Sequence, residues 1–222
     1  MVKIFERAVC YCYQEILRII CSGNEQRHTT FPSAGNRPMK SITDSVPLIL
    51  ACHPQTPSQA IHGIDVVVGG AASGILTLAF ALEGDLCGLR IPEPQPSRRV
   101  NGLWRHTCCE AFVMAGEGPG YREFHFSPSG EWAVYAFRRY REGGELEREL
   151  APAIVVRRTG DRLELSAEIP PGFLPSGRSL RLGLSAVVED ADGMLSYWAL
   201  RHHPGKPDFH HTDAFALQLV QP

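Results

Sequence analysis

Arg162-Leu163-Glu164-Leu165-Ser166-Ala167-Glu168-Ile169 is the stretch on which the fold turns. Leucine, alanine and isoleucine occupy every second position, and charged or hydroxyl side chains fill the gaps. That period of two belongs to an extended strand with one face buried and one face wet. Thr159-Gly160-Asp161 supplies a turn just before it, and Ile154-Val155-Val156 reads as the preceding strand. Working outward, Leu76, Leu78, Phe80 and Leu82 repeat the pattern, as do Leu180, Leu182, Leu184, Ala186 and Val188. The turn Asp190-Ala191-Asp192-Gly193 leads to a strand at 195–201, and a last strand is expected at 214–220. Pro92, Pro94 and Pro96 with Arg98 and Arg99 mark an exposed loop, since proline cannot donate to a strand ladder. About nine to eleven short strands without intervening helices predict an all-β fold, an antiparallel β-sandwich of jelly-roll type.

The chain has 222 residues, 44% of them hydrophobic and 21% charged, which is ordinary globular composition and room for one sizeable domain. Its formal charge of -2 advertises no basic surface, so nucleic acid is not the expected partner. Seven cysteines in irregular spacing, with no CxxC pair, read as reduced thiols and predict a cytoplasmic protein. No segment offers the roughly 18 to 20 uninterrupted apolar residues of a membrane span. The best early stretch, 2–20, is broken by Glu6, Arg7, Glu15 and Arg18, and it lacks the features of a signal peptide.

The beginning of the chain has a different character. Phe5, Val9, Cys12, Ile16 and Ile19 recur at three- and four-residue intervals and predict an amphipathic helix over 3–20. Residues 21–38 have linker composition. The expected organisation is therefore a helix and linker over 1–38, not necessarily part of the native unit, and a β-sandwich domain over 39–222.

The densest chemistry lies in 102–113 and 121–132. Strand parity puts Trp104, His106, Cys108 and Glu110 on one face, and Tyr121, Glu123 and His125 on one face of the next strand, with Phe124 and Phe126 turned to the core. Ser127-Pro128-Ser129-Gly130 is a type I turn closing a hairpin, and with Ser127 opposite Gly130 it would set Trp132 across from His125. Trp198 and His202 fall on one side of a late strand. The candidate ligand-binding site thus has Trp104, Tyr121, Trp132 and Trp198 for stacking. Glu110, Glu123, His125 and His202 are its hydrogen-bonding groups. Rings beside carboxylates and imidazoles suit a sugar, whose C–H faces stack while its hydroxyls bond.

Residues 202–211 hold four of the nine histidines. The pairs His202-His203 and His210-His211 match no familiar zinc spacing, and at most one histidine of each pair could converge on an ion, so no metal site is assigned. A proline-stiffened loop at the mouth of the sandwich is the expectation. Asp190, Asp192 and Gly193 lack the spacing of a calcium loop. GxSxG, Walker, dinucleotide and HExxH motifs are absent from the sequence.

Leu103-Trp104-x-x-Thr107-Cys108-x-Glu110-x-Phe112, then Tyr121-x-Glu123-Phe124-x-Phe126-Ser127-Pro128-Ser129-Gly130-x-Trp132 and Tyr135-x-Phe137, resembles the bacterial DOMON-like domains. Tyr197-Trp198-Ala199-Leu200 and Lys206-Pro207-Asp208-Phe209-His210 extend the resemblance, which runs from about Met39 to the end of the chain. It implies a sandwich whose relatives bind sugars, as do carbohydrate-binding modules of family nine, or heme. The leading expectation is a non-catalytic domain binding a carbohydrate-like small molecule without a cofactor. One alternative is heme b binding and electron transfer. Heme-binding relatives use methionine and histidine as ligands; beyond Met39 the methionines are Met114 and Met194, and no CxxCH occurs. A third reading is a hydrolase with Glu110 and Glu123 as acid and base, which needs carboxyl groups about 5 to 9.5 Å apart across an open cleft.

Overall fold

Alternating apolar residues bury one side of each strand, and two such sides closing on one another generate the observed architecture. The computed structural model describes residues 47–70, 74–116, 118–146, 150–177 and 179–220. The helix and linker expected over 1–38 lie outside them. Twelve strands are present among the described residues. In chain order they are β1 (Leu48–Cys52), β2 (Ile61–Gly70), β3 (Leu76–Gly84), β4 (Cys108–Ala115), β5 (Tyr121–Phe126) and β6 (Trp132–Arg139). They continue with β7 (Glu142–Glu145), β8 (Ala153–Thr159), β9 (Arg162–Ile169), β10 (Ser179–Glu189), β11 (Leu195–Ala199) and β12 (Leu217–Val220).

All strand pairs are antiparallel. One sheet runs β1-β2-β3-β9-β8 and the other β7-β6-β5-β4-β10-β11-β1. Strand β1 belongs to both, because Leu48 to Leu50 pair with β2 while Ala51 and Cys52 pair with β11. β12 pairs with Ser179 to Leu182 of β10, and β11 takes the other end of the same edge from Ser185 onward. The expected antiparallel β-sandwich is the fold. Short β1 and β7 account for the count running above the sequence-based one; a four-residue strand such as Glu142–Glu145 carries no readable alternation.

The interior holds Leu78, Phe80, Leu163 and Leu165 from one sheet against Phe124, Phe126, Leu182 and Leu184 from the other. Phe124 and Phe126 stack at 6.3 Å, as the parity of β5 requires. On this strand the reverse face therefore carries Tyr121, Glu123 and His125 away from the sandwich core.

Three local expectations are corrected. Leu103 to Arg105 form a 3-10 turn rather than the start of β4, so strand parity does not apply at Trp104 or His106. The Ser127–Gly130 turn ends in Gly130 at φ 88°, and Ser127 N–H donates to Glu131 O, not to Gly130. This extra left-handed residue shifts the hairpin by one position. Trp132 consequently pairs with Phe126 and enters the core, while Ala133 sits opposite His125. Finally, the C-terminal strand begins at Leu217, with Thr212–Ala214 forming a 3-10 turn before it.

Candidate functional site

The outer face of β4, β5 and β6 is the floor of a cleft of about 580 Å³, within the size range of small-molecule sites. Glu110 and Phe112 come from β4, Glu123 from β5, and Tyr135 and Phe137 from β6. Register brings them together: Phe112 lies opposite Glu123, and Glu123 opposite Tyr135. Trp104 forms one wall from its 3-10 turn, and Tyr197 contributes from β11. Lys206, Pro207, Phe209 and His210 close another side, with Arg141 from the turn between β6 and β7.

Three buried ionisable groups meet in this floor. His125 Nε2 is 2.7 Å from Glu123 Oε1 and 3.7 Å from Glu110 Oε1. The Ser185 hydroxyl donates to Glu110 Oε2 at 3.2 Å. Two desolvated carboxylates side by side repel, and a protonated imidazole between them removes most of that cost. Burial pulls the His125 pKa down, but the charges of Glu110 and Glu123 and the hydrogen bond to Glu123 outweigh it, and the net shift is upward. Burial pushes the Glu110 carboxyl up to about 7, with His125 opposing and Glu123 reinforcing the rise.

A second network fixes the wall. The Tyr121 hydroxyl accepts from the Arg141 backbone N–H at 3.0 Å and lies 2.8 Å from His210 Nδ1. The remaining hydroxyl proton can be given to Nδ1, the arrangement in which neutral His210 carries its own proton on Nε2. Burial holds the His210 pKa below its usual value. Nε2 stands 3.9 Å from Glu123 Oε1, too far for a direct hydrogen bond, so both keep capacity for a third group. Asp208 anchors the same loop: it accepts from the Tyr140 hydroxyl at 2.7 Å, Arg141 Nη2 at 2.9 Å and the His210 backbone N–H at 3.1 Å. Burial alone would raise the Asp208 pKa, but these donors hold it low. Arg141, at φ 53°, is the one non-glycine residue in the left-handed region among the described residues, and the Asp208 and Tyr121 bonds hold it there.

Of the eight residues singled out in the sequence, Trp104, Glu110 and Glu123 line the cleft. Tyr121 and His125 lie directly behind it, holding His210 and Glu123. Trp132 and Trp198 are corrected: both are 5% exposed and packed in the sandwich core, where Trp198 Nε1 donates to Ser196 Oγ. His202 is corrected as well. It lies beyond the end of β11, its Nε2 donating to Ala51 O at 2.8 Å with its ring against His53, and it does not line the cleft. Parity reasoning missed Tyr135, Arg141, Tyr197, Phe209 and His210. Tyr135 was hidden by the hairpin shift, and the loop residues had no register to place them. Their signal was the Lys206-Pro207-Asp208-Phe209-His210 motif.

Among the described residues two groups have the donor atoms for a metal ion: Cys108, Glu110 and His125, and His203, His211 and Asp213. In the first, burial and then the Glu110 charge keep the Cys108 thiol protonated, and His125 is already committed to Glu123. Neither Met114 nor Met194 lines the cleft.

No family model matches the sequence, and no curated protein matches it. Solved structures do. A protein from Bacteroides uniformis, provisionally described as carbohydrate-binding, superposes with a TM-score of 0.58 at 14% identity, over 80% of this chain and 85% of that one. A carbohydrate-binding module of family 9 from Caldicellulosiruptor kristjanssonii, in complex with cellotriose, gives 0.53 at 8% identity, over 84% and 89%. The same organism's family 9 module in complex with glucose gives 0.53 at 9%, over 85% and 92%. The fold is similar to that of a family 9 carbohydrate-binding module. At these identities the likeness concerns the sandwich, and the side chains of the cleft have to be read on their own chemistry.

Proposed function

We propose that this sandwich is a non-catalytic binding domain for a carbohydrate-like small molecule, held in the cleft on the outer face of β4 to β6. The observation that carries the reading is the mixed lining. Trp104, Tyr135, Tyr197 and Phe209 offer ring surface, while Glu110, Glu123, His210, Arg141 and Lys206 offer donors and acceptors around it. A sugar presents apolar C–H faces and hydroxyls that both donate and accept, which is the complement of this arrangement. The 3.9 Å gap between His210 Nε2 and Glu123 Oε1 suits a hydroxyl that accepts from one and donates to the other.

The sugar ligands of the family 9 structures support the substance class. Kinship with DOMON-like domains, drawn from the motifs, belongs to the same proposal. Binding is favoured over hydrolysis because Glu110 and Glu123 both aim at one imidazole nitrogen, whereas a glycosidase pair flanks the bond to be cleaved. Each stacked ring adds about 0.5 to 1.5 kcal/mol beyond burial, so micromolar or weaker affinity is expected.

Calorimetric titration with a panel of mono- and oligosaccharides, glucose and cellotriose included, tests this. The reading expects saturable heat with at least one of them and its loss in Trp104→Ala and Glu123→Gln. Absence of heat across the panel, or steady release of reducing sugar from an oligosaccharide, contradicts it.

A further inference from the structure

One histidine from each of the two His-His pairs meets the same aspartate at the base of the loop that walls the cleft. His203 Nδ1 lies 3.1 Å from Asp213 Oδ2, and His211 Nδ1 lies 3.4 Å from that same oxygen. The two imidazoles stack with centroids 3.5 Å apart and planes 25° apart. Their donor atoms all fall within 4.8 Å of one another. Metal–ligand bonds of about 2.0 to 2.1 Å at tetrahedral angles place neighbouring donors about 3.3 Å apart, close to the two distances observed.

The two imidazoles differ in their protons: His203 Nδ1 donates to Asp213 Oδ2, and on binding an ion it gives up that proton by a tautomer change to Nε2. The Asp213 backbone N–H donates to His211 Nδ1 at 3.3 Å, so neutral His211 carries its proton on Nε2 and its Nδ1 lone pair is occupied by this long cap bond. His211 Nδ1 also stands 3.4 Å from Asp213 Oδ2, two acceptor atoms side by side whose repulsion a cation bound by both relieves. All three side chains are partly exposed, 36%, 33% and 54% for His203, His211 and Asp213, so water has access to complete a coordination shell.

We propose that His203, His211 and Asp213 form a binding site for a divalent transition-metal ion, zinc being the natural probe. The ligands are His203 Nδ1, His211 Nδ1 and Asp213 Oδ2, with water in the remaining position; two histidines and a carboxylate are an ordinary zinc set. The stacked rings splay on binding so that both lone pairs aim at the ion, and the weak cap bond from Asp213 N–H is exchanged for it. His203 and His211 bracket residues 204–210, so the ion ties together the two ends of the loop that gives the cleft Lys206, Phe209 and His210. The site lies apart from the cleft floor and does not depend on what the cleft binds.

The test is titration of the chelator-treated full chain with zinc chloride in the absence of any saccharide, followed by Co2+ substitution. The expected result is a saturable binding event whose affinity falls at least roughly tenfold in each of His203→Ala, His211→Ala and Asp213→Asn. Exposed His62 serves as control, and His62→Gln is expected to bind as the parent chain does. The Co2+ form is expected to show ligand-field bands without thiolate charge transfer. Unchanged zinc affinity in the three variants, no binding by the parent chain, or a thiolate band assigning the ion to cysteine overturns the proposal.

Discussion

The Tyr121 hydroxyl and His210 Nδ1 lie 2.8 Å apart although the two residues are separated by 89 positions in the chain. Tyr121 stands on β5 and His210 on the loop, so this bond joins the floor to the imidazole that faces Glu123.

Tyr121→Phe removes both that bond and the acceptor for Arg141 N–H. The loss should cost about 1 to 3 kcal/mol, measured by urea unfolding. Imidazole 15N NMR should show His210 as one tautomer in the parent and a mixture in the variant.

The buried floor predicts a pH dependence. Glu110 has a folded-state pKa of about 7 against the ordinary 4.5, so its proton is held more tightly in the folded state. A raised pKa contributes stability that is complete below the unfolded value and is lost as pH rises through the folded one; His125, also raised, acts in the same direction. Unfolding free energy should therefore fall between about pH 5 and pH 8, by on the order of 1 to 3 kcal/mol. Glu110→Gln should flatten the curve. Urea titrations at stepped pH check this, and parallel curves for the two proteins would count against it.

The tryptophans should separate into two kinds. Trp132 and Trp198 are 5% exposed, whereas Trp104 is 40% exposed over His125 and Tyr135. Trp132→Ala should destabilise by about 3 to 5 kcal/mol. Trp104→Ala should cost about 1 kcal/mol or less while weakening the proposed ligand. Thermal melts beside binding assays distinguish these outcomes.

What was legible in the sequence follows from how far a period of two reaches. Leu163 to Ile169 and Leu180 to Val188 gave their strands and inward faces, because the alternation runs unbroken. Glu110, Glu123 and His125 fell on the correct face for the same reason. Trp132 was misplaced by the single left-handed residue Gly130, since one inserted position reverses every side chain that follows. Trp198 and His202 do not share one side of a strand, because β11 ends at Ala199 and His202 lies beyond it. Lys206 to His210 have no ladder; their position depends on Asp208, Tyr140 and Arg141, contacts between distant segments that periodicity does not encode.

Asp208 is the pin of the wall. Asp208→Ala removes acceptors for Tyr140, Arg141 and the His210 backbone N–H. Amide hydrogen exchange over 204–210 should accelerate while β4 and β5 keep their protection. Equal acceleration in both regions would mean that the loop and the sheet open as one unit.

The central claim is that a sugar sits in the cleft between Trp104 and the Glu110–His125–Glu123 floor. Among the three indoles in the chain, that of Trp104 alone lines this cleft. The most direct measurement is an NMR titration with cellotriose and glucose that follows the assigned indole N–H signals. The account predicts a saturable shift of the Trp104 indole with one of these sugars or a close relative, with those of Trp132 and Trp198 nearly still. Sugar-induced shifts confined to the outer surface of β2, β3, β8 and β9, or an unmoved Trp104 indole at saturating sugar, would contradict it.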